Sequence, residues 1–258
     1  MNRYNIMWTG GLDSTYTMVI YSREEVEIQP YYFMNGRKSE KYEIRAMESI
    51  LQVIKSHPET RALIRSPEMI DAGSIPQDNE VEQAYKKLKE KGGLGSQYCW
   101  IASYVKNSGL DRMFYSAVKP LGYTSKLRLC IEENGGFSKE KNNSGRTYYT
   151  IDHEKSTKEL ELLFGHFCFS ETFDITKPDE ERLLREMGYG DAVDSTWICH
   201  TPVMGKPCGC CNPCGDAIEA GQTWRFTKSE LKRYKQYKSG VSPWRVRLGS
   251  YLDALFGR

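Results

Sequence analysis

The N-terminal residues place a glycine-rich turn between an apolar run and a helix-like segment. Residues 4–8 (YNIMW) are mostly apolar or aromatic, and the run is short enough for a buried strand. The sequence TGGLDST follows at residues 9–15, and residues 12–23 have helix-like spacing. Because α/β proteins alternate strands with helices, this start favours an α/β fold.

Strand and helix patterns continue to alternate along the chain. Further strands are predicted at 26–34, 61–67, 112–118 and 168–174, and helices at 36–57, 78–91, 96–109, 157–167 and 176–188. This alternation predicts a doubly wound, mostly parallel sheet. Pro30 cannot donate a ladder hydrogen bond, so we expect its strand to lie at an edge or to begin late. Residues 132–148 are polar and glycine-rich, which predicts a mobile loop or a hairpin tip.

Composition and charge exclude several classes of protein. Hydrophobic residues make up 39% of the 258 residues and charged residues 27%, which permits a sizeable core and argues against disorder. The net charge of +2 is too small to indicate nucleic-acid binding by itself. There is no apolar stretch near the length of a membrane span and no signal-peptide pattern, so we expect a cytoplasmic protein without a membrane segment.

Five of the eight cysteines lie between residues 199 and 214. Cys199, Cys208, Cys211 and Cys214 follow a C-x8-C-x2-C-x2-C pattern, which suits tetrahedral structural Zn²⁺ in a knuckle. A redox pair, an iron–sulfur site or ordinary buried cysteines are the alternatives, and His200 is a substitute ligand. We expect the isolated Cys99, Cys130 and Cys168 to pack in the core.

The glycine turn has the features of a phosphate site. Its glycines allow close backbone approach, the following helix adds positive potential at its N-terminus, and its hydroxyls can donate hydrogen bonds. The residues concerned are Thr9, Gly10, Gly11, Leu12, Asp13, Ser14 and Thr15. Asp13 could orient the turn or help hold Mg²⁺; alternatively, the turn is only structural, with Asp13 as helix N-cap. A position after the first strand of an α/β sheet favours a ligand site.

Two motifs carry a resemblance to a known family. TGGLDST resembles the SGGxDS signature of the PP-loop ATP pyrophosphatases, and the four-cysteine pattern resembles the 7-cyano-7-deazaguanine synthase family within them. Segments 34–47, 95–109, 121–128 and 176–188 resemble that family more loosely. The resemblance implies an adenine nucleotide α-hydrolase-like, Rossmann-like domain over 1–195. It also implies a zinc-binding segment with C-terminal helices over 196–258.

The resemblance also implies a reaction. The family uses ATP with Mg²⁺ to adenylate 7-carboxy-7-deazaguanine, and ammonia then gives an amide that is dehydrated to the nitrile of the queuosine pathway. Asp13 and Ser14 would act with Arg37 and Lys177, two cations that would face the phosphates or the carboxylate. Arg37 could instead be a solvated loop charge, and Lys177 could simply precede a helix.

Departures from the family pattern leave an alternative. The acidic residue expected before Gly122-Tyr123 is missing, and Glu132 and Glu133 are its possible replacements. A divergent relative would pass the activated acid to another amine, on a protein or a nucleic acid, as in bacterial anti-phage defence. A homodimer or a partner protein is compatible with either reading.

The C-terminal segment is basic and aromatic, with helices predicted at 227–238 and 243–256. Such a tail can bind nucleic acid, or its apolar face can pack on the domain with the basic residues in water. We favour packing.

Overall fold

The computed structural model describes residues 2–120, 122 and 125–248, and an eight-stranded sheet forms its centre. The strands are β1 (Arg3–Met7), β2 (Glu27–Met34), β3 (Leu63–Ile64), β4 (Glu68–Asp71), β5 (Met113–Tyr115), β6 (Phe137–Lys141), β7 (Thr147–Ile151) and β8 (Phe167–Ser170). Their order is β3-β2-β1-β5-β8-β7-β6, and β4 also pairs with β2. All pairings are parallel except those that β7 makes with β6 and β8. The predicted α/β class with a mostly parallel sheet is therefore confirmed.

Helices cover both faces of this sheet. They are α1 (Leu12–Ser22), α2 (Glu40–Ser56), α3 (Asn79–Gly92), α4 (Gln97–Asn107), α5 (Lys126–Asn134), α6 (Lys158–Phe164), α7 (Lys177–Glu186), α8 (Gly190–Ser195), α9 (Asn212–Glu219) and α10 (Lys228–Lys238). One apolar cluster joins the sheet to α3–α6, and a second joins it to α1, α2, α7 and α8. Strand side chains alternate between the two, as Phe167 and Phe169 do against Cys168.

The expectation about Pro30 was wrong, because β2 lies inside the sheet. The carbonyls of Val26 and Ile28 accept hydrogen bonds from the amides of Leu63 and Arg65. The even-numbered residues of β2 therefore direct their backbone N–H and C=O groups towards β3. β3 ends opposite Ile28 and β4 begins opposite Tyr31, which leaves Pro30 beside the gap between them. The missing N–H therefore costs no ladder bond. Only β3 lies within the strand predicted at 61–67, and β4 begins after that segment.

The polar segment 132–148 is more ordered than predicted. α5 continues to Asn134, and β6 and β7 form an antiparallel hairpin whose outer strand is β6. The residues of β6 (FSKEK) are mostly polar because β6 is an edge strand that contacts solvent. Only residues 142–146 form the hairpin tip.

The C-terminal segment has an apolar cluster of its own, formed by side chains between Trp197 and Val246 around the cysteines. Residues 243–248 are helical, and the rest of the helix predicted to residue 256 lies outside the described residues. The segment around Gly122 lies partly outside them too. Within the described ranges, no helix combines the length and apolar character needed to cross a bilayer. The domain boundary predicted after residue 195 stays a prediction.

Candidate functional site

The glycine turn leads from the carboxyl end of β1 into α1. β1 is where the strand order changes direction, since the next strands in sequence and the later ones lie on opposite sides of it. Ligands of α/β sheets bind outside the carboxyl ends of strands at such a point. Gly11, and not Asp13, is the N-cap of α1, and no described side chain caps it. The first amides of α1 are therefore open to an anionic ligand.

The shape of the turn depends on Gly10 and on a pair of hydroxyls. Gly10 has a φ of +66°, and a Cβ there would lie 2.8 Å from the carbonyl oxygen of Glu43. Ser14 Oγ accepts from the amide of Thr9 at 3.2 Å and lies 3.3 Å from Thr9 Oγ1. The indole of Trp8 donates to Thr15 Oγ1, which turns that hydroxyl into the core. Gly10 and Thr15 thus shape the turn, whereas Thr9, Gly11 and Ser14 line the open space beside it.

Lys177 reaches the turn from the start of α7. Thr176 and Asp179 form a capping box at this helix end and so fix where Lys177 begins the helix. Lys177 Nζ donates to Asp13 Oδ1 at 2.9 Å. Burial favours the neutral amine, but the nearby carboxylate of Asp13 outweighs it and raises the pKa of Lys177. The predicted pair of Asp13 and Lys177 therefore meets at the site as an ion pair.

Glu180 is a site neighbour that sequence reasoning missed. Its side chain is fully buried on α7, and neither carboxyl oxygen has a hydrogen-bond partner within the part of the chain that the structure describes. Burial, reinforced by the charge of Asp13, raises the pKa of Glu180 well above its ordinary value, which favours the protonated acid. A signal existed in the sequence, because Glu180 falls one turn before the buried Leu184 and so lies in the apolar stripe of α7.

Arg37 belongs to a different arrangement, in which every N–H of its guanidinium donates to the protein. Nε and Nη2 donate to the carboxylate of Glu43, with 2.5 Å between Nη2 and Oε2. The remaining N–H groups reach Tyr32 Oη, the carbonyl of Phe33 and Asn35 Oδ1. Burial opposes both charges, yet their hydrogen bonds keep the pKa of Glu43 below its usual range. Glu43 lines the open space beside the turn, and Arg37 does not.

A cavity of about 270 Å³ opens between the turn, the start of α7 and the cysteine segment. This volume is near the lower bound of ordinary small-molecule sites, and the cavity is open on one side. Its lining includes six residues predicted for the site: Thr9, Gly11, Leu12, Asp13, Ser14 and Lys177. It also includes residues that the sequence did not single out for it: Glu43, Tyr115, Ser116, Trp197, His200 and Gln222.

The four predicted cysteine ligands converge on one point. The sulfurs of Cys199, Cys208, Cys211 and Cys214 all lie within 4.8 Å of one another, and the Cys208–Cys214 and Cys199–Cys211 pairs are 4.0 and 3.9 Å apart. Tetrahedral Zn²⁺ with bonds near 2.3 Å needs sulfurs about 3.8 Å apart. The cluster can therefore hold a metal ion such as zinc.

The turns around the cysteines explain the spacing of the ligands. Gly209 has a φ of +73°, and a Cβ there would lie within 2.3 Å of the Glu230 carbonyl, so only glycine fits between Cys208 and Cys210. Cys210 is excluded from the cluster and contacts the carbonyl of Pro243 instead. Cys211 is the N-cap of α9, which projects Cys214 back towards the other sulfurs.

Trp197 joins the cysteine cluster to the glycine turn. Its amide donates to the carbonyl of Gly10 at 2.9 Å, and its indole N–H donates to the carbonyl of Cys199 at 2.7 Å. The ring stacks on Tyr42 with centroids 4.6 Å apart. Through Trp197 the cysteine cluster fixes the wall of the cavity that faces the turn.

The assembled site offers uncapped helix amides, hydroxyls, one lysine and two carboxylates, those of Asp13 and Glu43, around a single cavity. Such a set can bind an anion and, through the carboxylate of Asp13, a divalent cation. No protein-family model matches the chain, and no curated protein matches it significantly.

Proposed function

We propose that the chain is an ATP-dependent carbon–nitrogen ligase. It adenylates a carboxylate that resembles 7-carboxy-7-deazaguanine and converts it with ammonia to the amide and then the nitrile. The chemistry comes from the likeness of TGGLDST and the cysteine pattern to the 7-cyano-7-deazaguanine synthase family. One structural observation carries the proposal: the uncapped start of α1 lies at the carboxyl end of β1 and opens into the cavity beside Lys177.

The charges of the site support phosphate binding only together with a cation. Lys177 is already paired with Asp13, so the two side chains add no net positive charge to the cavity. Mg²⁺ prefers carboxylate and phosphate oxygens, and Asp13 is the carboxylate beside the turn. Asp13 would hold Mg²⁺ when it is bound with ATP, and Lys177, freed from its pair with Asp13, would donate to the pyrophosphate leaving group.

The acid substrate would lie towards the cysteine segment. Trp197, His200 and Gln222 supply an aromatic ring and hydrogen-bonding groups on that side of the cavity. Glu132 and Glu133, the replacements considered for reading the base, are on α5 and are not among the cavity residues; Glu132 is bonded to Arg128. The base is therefore read by other groups in this proposal, which leaves room for a substrate altered from that of the family.

A second cavity favours an amine other than ammonia as an alternative acceptor. It measures about 90 Å³, shares Lys177 with the first and is lined by the acids Asp216 and Glu219. Carboxylates on that side attract a cationic amine towards the activated acid. The alternative enzyme would transfer the acyl group to an amine of a protein or nucleic acid.

A product assay tests the proposal. The zinc-loaded protein is incubated with Mg²⁺-ATP, 7-carboxy-7-deazaguanine and ammonium, and nucleotides and deazapurines are read by mass spectrometry. AMP together with the nitrile supports the synthase. AMP with only the amide, or with a mass increase on a macromolecule, supports the alternative.

Matched variants make a negative result interpretable. Lys177→Met removes the cavity lysine, and Lys55→Met removes an exposed lysine from α2. If the wild-type protein forms no AMP with any acid tested, or if both variants retain full turnover, the proposal is wrong.

A further inference from the structure

The exposed face of α10 carries a line of unpaired lysines. Lys228, Lys232 and Lys235 are separated by four and three residues, so they follow one another along one side of the helix. All three are exposed, and none has an ion-pair partner among the residues that the structure describes. The opposite side of α10 packs inward through Glu230 and Arg233. One side of α10 therefore packs against the protein, and the other is a solvent-exposed basic face.

Positive charge is concentrated in the segment that contains α10. Residues 220–248 contain eight Lys and Arg and one acid, a net charge of +7, whereas the whole chain carries +2. The acid is Glu230, which is buried and bonded to Arg233. No exposed carboxylate within this range thus balances the lysine line.

Exposed apolar side chains lie on the next helical stretch, residues 243–248. Trp244 is 57% exposed and Leu248, one turn later, is 47% exposed. Arg245 lies over the Trp244 ring at 5.4 Å, and more than half of the Trp244 surface is exposed. An exposed indole can stack an unpaired base, and lysines can contact phosphates.

We propose that α10 and residues 243–248 form a binding surface for single-stranded nucleic acid. The apolar side of α10 is used in packing, so the helix has no apolar face to insert into a lipid surface. A second copy of the chain would present the same positive charge and be repelled. A polyanion with exposed bases satisfies both the lysines and the indole.

The surface adjoins the second cavity. Glu219, which lines that cavity, accepts from Tyr234 Oη at 2.7 Å and from Lys238 Nζ at 2.8 Å. A strand bound along α10 would therefore pass close to the side of the site that holds Lys177. The binding itself does not depend on the proposed ligase reaction, and its test uses no ATP.

The test is fluorescence anisotropy of the zinc-loaded full chain with a fluorescein-labelled mixed-sequence 20-nucleotide strand, as DNA and as RNA, from 50 to 300 mM KCl. We expect saturable binding that weakens steeply with salt. Reversal of the three lysines (Lys228→Glu, Lys232→Glu, Lys235→Glu) should weaken binding at least tenfold. It should also reduce the log–log salt slope by about 2, since each single-strand phosphate contact contributes about 0.7.

Control variants separate this surface from general charge. A triple reversal of exposed lysines on other helices (Lys55→Glu, Lys89→Glu, Lys158→Glu) should change affinity less than twofold. Trp244→Ala should weaken binding about fivefold or more with an unchanged slope, because it removes stacking and no charge. Zinc content and circular dichroism establish that each variant is folded.

Five results would overturn the inference. The first three are no binding at 50 mM KCl, equal losses in the two triple variants, and equal affinity for a blunt duplex with no effect of Trp244→Ala. The fourth is equal binding of polyglutamate or of vesicles with 30% anionic lipid. A change of oligomeric state in the α10 triple variant, measured by sedimentation, would instead identify the surface as a contact between copies and also overturn it.

Discussion

Two ion pairs lie beside the glycine turn, and they differ in how much of their bonding capacity the protein uses. Arg37 donates all five of its N–H groups to protein atoms. Lys177 has three donors, and among the described residues its only hydrogen-bond partner is Asp13. A saturated cation stabilises the fold, whereas a cation with spare donors can bind a ligand. Of the two predicted cations, Lys177 is therefore the better candidate for chemistry.

The clustered cysteines also divide into two groups, those that converge on one point and one that does not. Four of the clustered sulfurs face one another, and Cys210 contacts Pro243 outside them. We expect Cys211→Ser to abolish stoichiometric zinc binding and destabilise residues 197–246, because structural zinc contributes about 10 kcal/mol or more to folding in small zinc domains. Metal analysis and thermal unfolding measure this. Cys210→Ser is the matched control and should keep one zinc per chain; loss of zinc in both variants would mean that Cys210 is a ligand.

Lys177 should be needed for activity far more than for stability. Lys177→Met should lower kcat of AMP formation about 100- to 1000-fold, the usual cost of losing one donor to developing charge. Its urea midpoint should change little, since Lys177 and Asp13 are both partly exposed. Steady-state kinetics and urea unfolding on the same preparation test the prediction, and a large stability loss at normal kcat would place Lys177 with Arg37 instead.

Arg37 should show the reverse behaviour. Arg37→Met leaves the buried carboxylate of Glu43 without its partner, so we expect a loss of about 3 kcal/mol in the free energy of unfolding. Turnover per folded molecule should remain within a few-fold of wild type. Arg37→Met with Glu43→Gln should recover part of the stability, as measured by urea unfolding. A kcat loss as large as that of Lys177→Met would restore the catalytic role expected for Arg37.

Substitution of Glu180 has the smallest expected effect, and it tests how the free energy of unfolding depends on pH. Its folded pKa is raised, so the folded state holds a proton that the unfolded state releases above its ordinary pKa near 4.3. Wild-type stability should therefore fall as the pH rises from 5 to 8. Glu180→Gln keeps the size and shape of the side chain but removes its titratable group, so it should flatten the dependence of stability on pH. The exposed Glu186→Gln is the control, and an unchanged slope in Glu180→Gln would mean that Glu180 is ionised.

Local patterns predicted much of the fold correctly. The turn after β1 and the convergence of the four cysteines follow from backbone requirements that neighbouring residues reveal. Gly109 and Gly188 both follow helices with positive φ, a conformation that glycine adopts readily. The edge strand β6 was missed because a solvated edge needs few apolar residues, which makes it look like a loop.

Tertiary features were harder to predict. The interior position of Pro30 depends on a gap between two neighbouring strands, which no pattern within β2 reveals. The pairing of Arg37 with Glu43 requires knowing how the chain between β2 and α2 folds back. Lys177 and Asp13 lie 164 positions apart in sequence, and only the resemblance to a known family brought them together.

The contacts of Trp197 predict how its fluorescence will respond to metal and to ligand. Its indole is stacked on Tyr42 and bonded to the cysteine segment, while its amide is bonded to the glycine turn. Its emission should therefore shift when metal leaves the cysteines and again when a ligand fills the cavity. A chain in which the other four tryptophans are replaced by phenylalanine would report both events optically, in one titration and without a label.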